Sequence, residues 1–318
     1  MNRANRVIAH TGAKYPIVQA PMGWIARTQL ASAVSRAGGL GIIETSSGET
    51  ENCQVEITKM SAIQREEGLP FGVNLPIRFL KDDAMLKFVC ASGVKFVTTS
   101  AGSPAKFIAP LHDAGIIVYH AVPTVEAAMK CVDAGIDGLV VEGAEGGGFK
   151  NPEEVSTLVL LQAIRARADV PMIAAGGICD GRGMAAAFAL GAEGIQMGTR
   201  FVSCLESPVH INYKNAIINA KETGTLMLNK KSTPCIRALK SGRTLAIYEE
   251  GVMSFEAMKG IRTLYFEGDM EAAPALAGQT AGLIDSVKSA KQIIDDTVAE
   301  FFAITARLGA LAQSRAFG

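Results

Sequence analysis

Ala174-Ala-Gly-Gly177 and, one repeat further along, Gln196-Met-Gly-Thr-Arg200 are the stretches on which the fold turns. Each closes a short apolar run and opens onto a helix-like segment. Two glycine-rich strand ends, one unit apart, can aim their bare N–H groups at a single point. A closed barrel of eight strand–helix units makes a phosphate cradle in this way, after its last two strands. The pair therefore implies a phosphorylated ligand and places the chemistry at the C-terminal ends of the strands.

Working outward, the same unit recurs along the chain. A helix-like stretch ends in a small residue and glycine, and a β-branched run follows: SRAGG-LGII (35–43), CASG-VKFVTTS (90–100), HDAG-IIVYHAV (112–122), VDAG-IDGLVVE (132–142) and LGA-EGIQMG (190–198). Glycine just past a helix takes the left-handed conformation that stops it and turns the chain. The apolar runs suit strands covered on both faces, as in a parallel sheet. Eight strands are expected, at 17–20, 40–43, 71–75, 94–98, 116–119, 138–141, 171–174 and 194–197. A doubly wound nucleotide fold places its glycine loop after the first strand. Here that strand runs into Ala20-Pro-Met-Gly-Trp24, which is not GxGxxG. The reading is an α/β chain folded as a (β/α)8 barrel.

Past Phe201 the rhythm breaks. Residues 206–272 read as a smaller, mostly helical insertion capping the site, with helix-like stretches at 208–222 and 252–264. Residues 1–205 and 273–318 make the barrel, and 278–308 reads as a helix packing back on it.

The bulk composition excludes several classes. The 318 residues are 48% hydrophobic, enough for a core without disulfides or metals, and the formal net charge is zero, leaving no basic footprint for nucleic acid. The six cysteines form no CxxC pair, which reads as a reduced, cytoplasmic protein without a zinc site. No apolar run is long enough to span a membrane, and the N-terminus lacks a signal-peptide core. No His–carboxylate spacing indicates a metal, and no GxSxG or Cys/His arrangement indicates acyl transfer.

The strand ends supply the chemical candidates. Pro21, Met22 and Gly23 follow the first strand, Glu44 and Thr45 the second, and Thr99–Gly102 the fourth. Gly176, Gly177, Gly198 and Thr199 are the phosphate donors, against the blander reading of Gly-Gly as a turn. Asn74 offers a donor and an acceptor to a flat heterocycle, or else makes a local turn. Glu142 opens a loop, EGAEGGGF (142–149), whose glycines let backbone approach a ligand. Glu145 serves there as a ligand contact or as a solvated charge. Of four histidines, His120 ends the fifth strand at the expected catalytic face and His210 opens the insertion. His10 and His112 lie elsewhere. A phosphosugar isomerase would fit the same barrel.

Five motifs in order, QAPMGWI (19–25), FGVNL (71–75), EGAEGGG (142–148), AAGGICDGRG (174–183) and QMGTRF (196–201), resemble those of the nitronate monooxygenase (2-nitropropane dioxygenase) family. That family includes flavin-dependent enoyl-ACP reductases and an NADH:quinone reductase, and the likeness spans about residues 14 to 290. AGQTAGLI (277–284) is similar to the C-terminal motif of the reductase branch. The resemblance implies an FMN-binding barrel with a helical cap. Carried over by position, Ala20, Pro21, Met22 and Gly23 run along the flavin edge, and Asn74 contacts the ring or its ribityl chain. Glu142 holds a polar group of the cofactor. Gly148 and Gln196 complete the cofactor contacts, and Gln279 approaches from the C-terminal segment.

The departure from the family pattern is as informative. The family loop ends in a histidine over the flavin, and here the matching residue is Phe149. A phenyl ring exchanges no proton, so it cannot deprotonate a neutral nitroalkane. Two readings follow on the catalytic side, with Phe149 shaping the substrate site and His120 or His210 as stand-ins for the missing base. One is an NAD(P)H-dependent reductase of an unsaturated acceptor, an enoyl thioester or a quinone. The other is a monooxygenase acting with O2 on an alkyl nitronate. A third, from a different class, is a flavin-binding protein without catalysis. Expected partners are a small-molecule substrate, a CoA or ACP thioester among the candidates, with no nucleic acid and no membrane; a homodimer is left open.

Overall fold

In the computed structural model, which describes residues 4–314, all eight expected apolar runs form strands. In chain order the strands are β1 (Ile17–Gln19), β2 (Gly41–Ile43), β3 (Phe71–Pro76), β4 (Phe96–Ser100), β5 (Ile117–Val122), β6 (Gly138–Glu142), β7 (Gly148–Phe149), β8 (Met172–Ala175), β9 (Gly194–Met197), β10 (Thr225–Leu228) and β11 (Ile236–Leu239). Eight of them make one parallel sheet in the order β1-β9-β8-β6-β5-β4-β3-β2. A bridge between Val18 and Leu40 closes it, with Gln19 N donating to Leu40 O at 2.9 Å and Leu40 N to Ile17 O at 2.9 Å. The sheet is therefore a (β/α)8 barrel. The helix-ending glycines behave as their sequence context requires: Gly38, Gly93, Gly115, Gly135 and Gly191 have φ of 94°, 82°, 69°, 85° and 95°.

The barrel is solid at one end. Val18, Leu40, Ile42, Phe96, Tyr119, Val140 and Ile173 fill its interior as one buried cluster. The helix Arg6–Thr11 plugs the bottom. Its Val7 joins that cluster, and His10 Nδ1 lies 3.0 Å from the Tyr119 hydroxyl. Arg6 Nε donates to both Glu193 carboxylate oxygens at 3.0 Å, tying the plug to the turn before β9. Ligand access is left to the C-terminal strand ends.

The outer ring finishes late in the chain. Helix Ala290–Gln313 packs against helices Thr28–Arg36 and Gly181–Ala189, the first and seventh of the ring, and so takes the eighth place. It begins later than the composition of 278–308 suggests. Ser289 and Gln292 form a capping box that starts the helix. Upstream, glycine-flanked Gln279–Leu283 makes only a 3-10 turn.

Residues 206–272 carry helices Ile211–Ile218, Gly242–Glu250 and Ile261–Glu267 and a 3-10 turn at Phe255–Met258. They also carry a hairpin that periodicity does not announce. Strands β10 and β11 pair antiparallel, and β11 pairs with β7, with Ile236 opposite Phe149 and Arg237 opposite Gly148. The glycine loop after β6 is thus a strand on one side, because the insertion supplies its partner. Among the described residues no helix is long and apolar enough to cross a membrane.

Candidate active site

Strand register decides which side chains reach the barrel mouth. Successive residues of a strand point to opposite faces. Tyr119 on β5 points inward with the core cluster, and pairing carries that facing to Thr98, Asn74, Glu142, Ala175 and Gln196. Thr98, Asn74, Glu142 and Gln196 form a polar upper layer on an apolar barrel, and Ala175 stays with the core cluster. Asn74 is buried and donates from Nδ2 to Thr98 Oγ1 at 3.0 Å and to Thr98 O at 3.2 Å. Gln196 Oε1 is buried with no donor among the described residues. A buried oxygen without a partner carries a desolvation cost of about 1–3 kcal/mol, which a ligand N–H or hydroxyl would remove.

The two glycine ends flank this layer. Among the described residues, none of the N–H groups of Gly176, Gly177, Gly198 and Thr199 donates to a protein acceptor. Four unspent amides at adjacent strand ends suit a phosphate. Gly198 caps the short helix Thr199–Val202 and touches the end of β1, since a Cβ there would lie 3.5 Å from Ala20 Cβ and 3.9 Å from Met22 Sδ. Gly176 and Gly177 adopt φ of 86° and 76°, open to glycine and strained for other residues. Thr199 spends its hydroxyl oxygen on the Gly278 N–H at 2.9 Å. This draws in the C-terminal segment, and Gln279 N donates to Glu145 O at 2.9 Å while its side chain stays exposed. A Cβ on Gly147 would lie 2.6 Å from the Ala277 carbonyl carbon, so backbone meets backbone at the centre of this assembly.

The glycine loop is braced from both sides. Glu145 accepts from Thr157 N at 3.0 Å and Thr157 Oγ1 at 3.1 Å, which commits it to the fold rather than to solvent. Glu142 pairs with Lys150, whose side chain is 3% exposed. Glu142, Gly143, Ala144, Phe149 and Lys150 line one cavity. From the hairpin, buried Arg237 donates through Nε to Ala144 O at 2.7 Å. Burial lowers the Arg237 pKa from its usual value.

On the opposite side of the mouth, Glu44 is fully buried and gathers Arg27 Nε at 2.8 Å, Trp24 N at 3.1 Å, Ser46 N at 2.6 Å and Ser47 N at 2.9 Å. Trp24 is held at φ 61°, an uncommon conformation for a bulky residue. Glu44 thereby fixes the Ala20–Trp24 loop, with Met22 O capping Ile25 and Ala26 N–H. A Cβ on Gly23 would lie 3.2 Å from Ser46 Oγ.

Both histidines expected near the chemistry make hydrogen bonds within the fold. His120 has the outward register of β5, opposite Thr99, and its Nδ1 lies 2.7 Å from Thr99 Oγ1. It is buried, and desolvation pushes its pKa down to about 4, against a backbone hydrogen bond at Gly102 that raises it. His210 caps helix Ile211–Ile218, its Nδ1 accepting from Asn212 N at 3.2 Å. A Cβ on Gly268 would lie 2.1 Å from that same Nδ1, so the imidazole is wedged against backbone. Phe149 is 47% exposed, on β7. Lys150, Arg237, Phe79 and Phe255 also belong to the neighbourhood, and sequence reading missed them. Lys150 had a signal, a cation directly after the glycine loop and eight residues from Glu142. The others come from distant segments, joined only by pairing and ring contacts.

Bare amides, an orphaned amide oxygen and a close-packed glycine loop stand together at the mouth of a plugged parallel barrel, and their chemistry fits a phosphorylated ring cofactor. The nitronate monooxygenase family model matches residues 4–88 and 80–300, and the chain belongs to that family of oxidoreductases. A nitronate monooxygenase of Pseudomonas aeruginosa is 30% identical, covering 88% of this chain and 94% of the relative. A Rhodococcus jostii protein named (3aS,4S,5R,7aS)-5-hydroxy-7a-methyl-1-oxo-octahydro-1H-indene-4-carboxyl-CoA dehydrogenase is 29% identical, covering 94% and 96%. The structure of FabK from Thermotoga maritima superposes with a TM-score of 0.89 at 37% identity, covering 97% of this chain and 99% of that one.

Proposed function

We propose that this oxidoreductase uses FMN to pass electrons from NAD(P)H to an unsaturated acceptor, an enoyl thioester or a quinone. Bound FMN would supply the hydride and electron transfer. Gly176, Gly177, Gly198 and Thr199 would hold its phosphate through backbone N–H groups, which add donors without burying a second full charge. Gln196 Oε1 would accept from a cofactor N–H or hydroxyl, and Asn74 and Glu142 would face the same polar groups. Lys150 would hold Glu142 in place through their ion pair. Ala20–Gly23, Gly148 and Gln279 would border the ring, with residues 206–272 as the cap.

The observation that carries the choice of acceptor is Phe149, a half-exposed phenyl ring at the position of the family's histidine. With His120 and His210 spent on the fold, no imidazole stands ready to take a proton from a nitroalkane. An apolar wall suits a conjugated acceptor. The likeness to FabK and to a dehydrogenase of a carboxyl-CoA substrate supports the same reading. A second reading, oxidation of an already anionic nitronate with O2, draws on the Pseudomonas relative's name.

Anaerobic mixing of the flavin-loaded protein with NADH or NADPH separates them. Rapid bleaching followed by reoxidation with an enoyl thioester or quinone is expected. Bleaching by a nitronate alone would favour the monooxygenase. A protein that keeps FMN yet bleaches with no donor would be a flavin binder without catalysis, and a colourless protein would return the site to phosphosugar chemistry.

A further inference from the structure

Three phenyl rings from three separate segments meet beside the mouth. Phe79 stands on the 3-10 turn after β3, Phe149 on β7 and Phe255 on the 3-10 turn of residues 255–258. Their centroids are 5.9 Å apart for Phe79–Phe149 and 6.1 Å for Phe149–Phe255, with planes tilted by 41° and 38°. Phe149 is the middle ring. The rings are 41%, 47% and 52% exposed.

Their backbones are fixed. Phe149 is paired to Ile236, Arg78 N beside Phe79 donates to Ala101 O at 2.9 Å, and Ser254 caps the turn that carries Phe255. Exposed aromatic surface on a fixed scaffold, at the edge of a polar site, is the usual makeup of a ligand wall. The wall is continuous with the site, because Phe149 also lines the cavity floored by Glu142 and Gly143.

We infer that Phe79 and Phe255, flanking Phe149, form the acyl-binding wall of the enzyme and select enoyl thioesters whose acyl group is large and apolar. This rests on the reductase reading above and adds to it the size and character of the acyl group. Two contacts of roughly 6 Å in a row exceed the width of one small substituent, so a short acyl chain meets one ring and a ring-bearing or long chain meets three. A compact nitronate would leave two rings wet.

The experiment compares crotonyl-CoA, cinnamoyl-CoA and 2-dodecenoyl-CoA as acceptors for the wild type, Phe79→Ala and Phe255→Ala. FMN content and the rate of NAD(P)H-driven bleaching are measured on the same samples. Loss of one ring contact is expected to raise KM for the two large thioesters about ten-fold. The crotonyl-CoA KM, the flavin content and the bleaching rate should stay put. Equal KM changes for all three thioesters, or none, with bleaching intact would overturn the acyl wall and leave the reductase reading standing. Ring dependence confined to quinones such as menadione would overturn it as well. Failure of every donor to bleach the wild type would instead remove the reductase reading.

Discussion

Gly176 and Gly177 are neighbours with nearly the same backbone conformation, and alanine at each should cost very different amounts. At φ of 86° and 76°, either Cβ meets the left-handed penalty of about 1–2 kcal/mol. There the likeness ends. A Cβ on Gly177 lies 3.5 Å from its nearest neighbour, Glu145 Cβ, in ordinary contact. A Cβ on Gly176 lies 2.9 Å from Gly146 N, 3.1 Å from Gly143 O and 3.2 Å from Thr157 Oγ1. Two of those atoms are backbone, and they belong to one turn, since Gly146 N donates to Gly143 O at 3.2 Å. Overpacking of this kind adds about 1–3 kcal/mol. Gly177→Ala should therefore lose about 1–2 kcal/mol and Gly176→Ala about 2–5 kcal/mol. Urea unfolding of the flavin-free proteins measures this. With a slope of about 3 kcal/mol per molar, the midpoint should fall by up to about 0.7 M for Gly177→Ala and by up to about 1.7 M for Gly176→Ala. The displaced turn should also weaken FMN retention more at position 176, read by dialysis and absorbance. Equal midpoints for the two variants would refute the claim that the 143–146 turn rests directly on Gly176.

Acid should destabilise the protein through His120. Its pKa is about 4 when folded and about 6.5 when unfolded, so the unfolded chain binds the extra proton between those values. The stability is complete above pH 6.5 and falls by up to about 3 kcal/mol as the pH drops toward 4. Urea midpoints at pH 7.5 and 4.5 should show a steeper acid loss than in His120→Gln, and identical slopes would count against it. Glu44→Ala should cost about 3 kcal/mol, since Arg27 keeps only Glu49 as a carboxylate partner. Trp24 is the single tryptophan, so its emission should shift to the red in that variant before global unfolding, and an unmoved spectrum would contradict the bracing role. Phe149→His should raise oxygen uptake with a nitroalkane by at least about a hundred-fold if general-base catalysis is what the phenyl ring removed. An unchanged rate at full flavin occupancy argues against Phe149 standing at the reacting face.

How much of this was legible in the chain follows from how local each signal is. The barrel was, because five helix ends marked by glycine and eight apolar runs are local and repeat. The bare strand-end amides of Gly176, Gly177, Gly198 and Thr199 were legible for the same reason, since glycine-rich strand ends show in the sequence itself. His120 faces outward, one register step from the inward layer, and position near a strand end says nothing about the face of the sheet. His210 looked available because its wedge, Gly268, lies 58 residues away. The hairpin of β10 and β11 left no alternation to detect. β7 exists as a strand only because Ile236 and Arg237 pair with it.

That last pairing has a consequence for inheritance and for engineering. The residue at 149 is delivered to its place by hydrogen bonds from a segment that enters the chain almost ninety residues later, and Arg237 grips the same loop at Ala144. Loop and hairpin therefore form one cassette split across the sequence. A graft of the glycine loop alone into a relative would carry the side chain without its coordinates. A graft of both halves would carry Phe149 together with the strand that positions it.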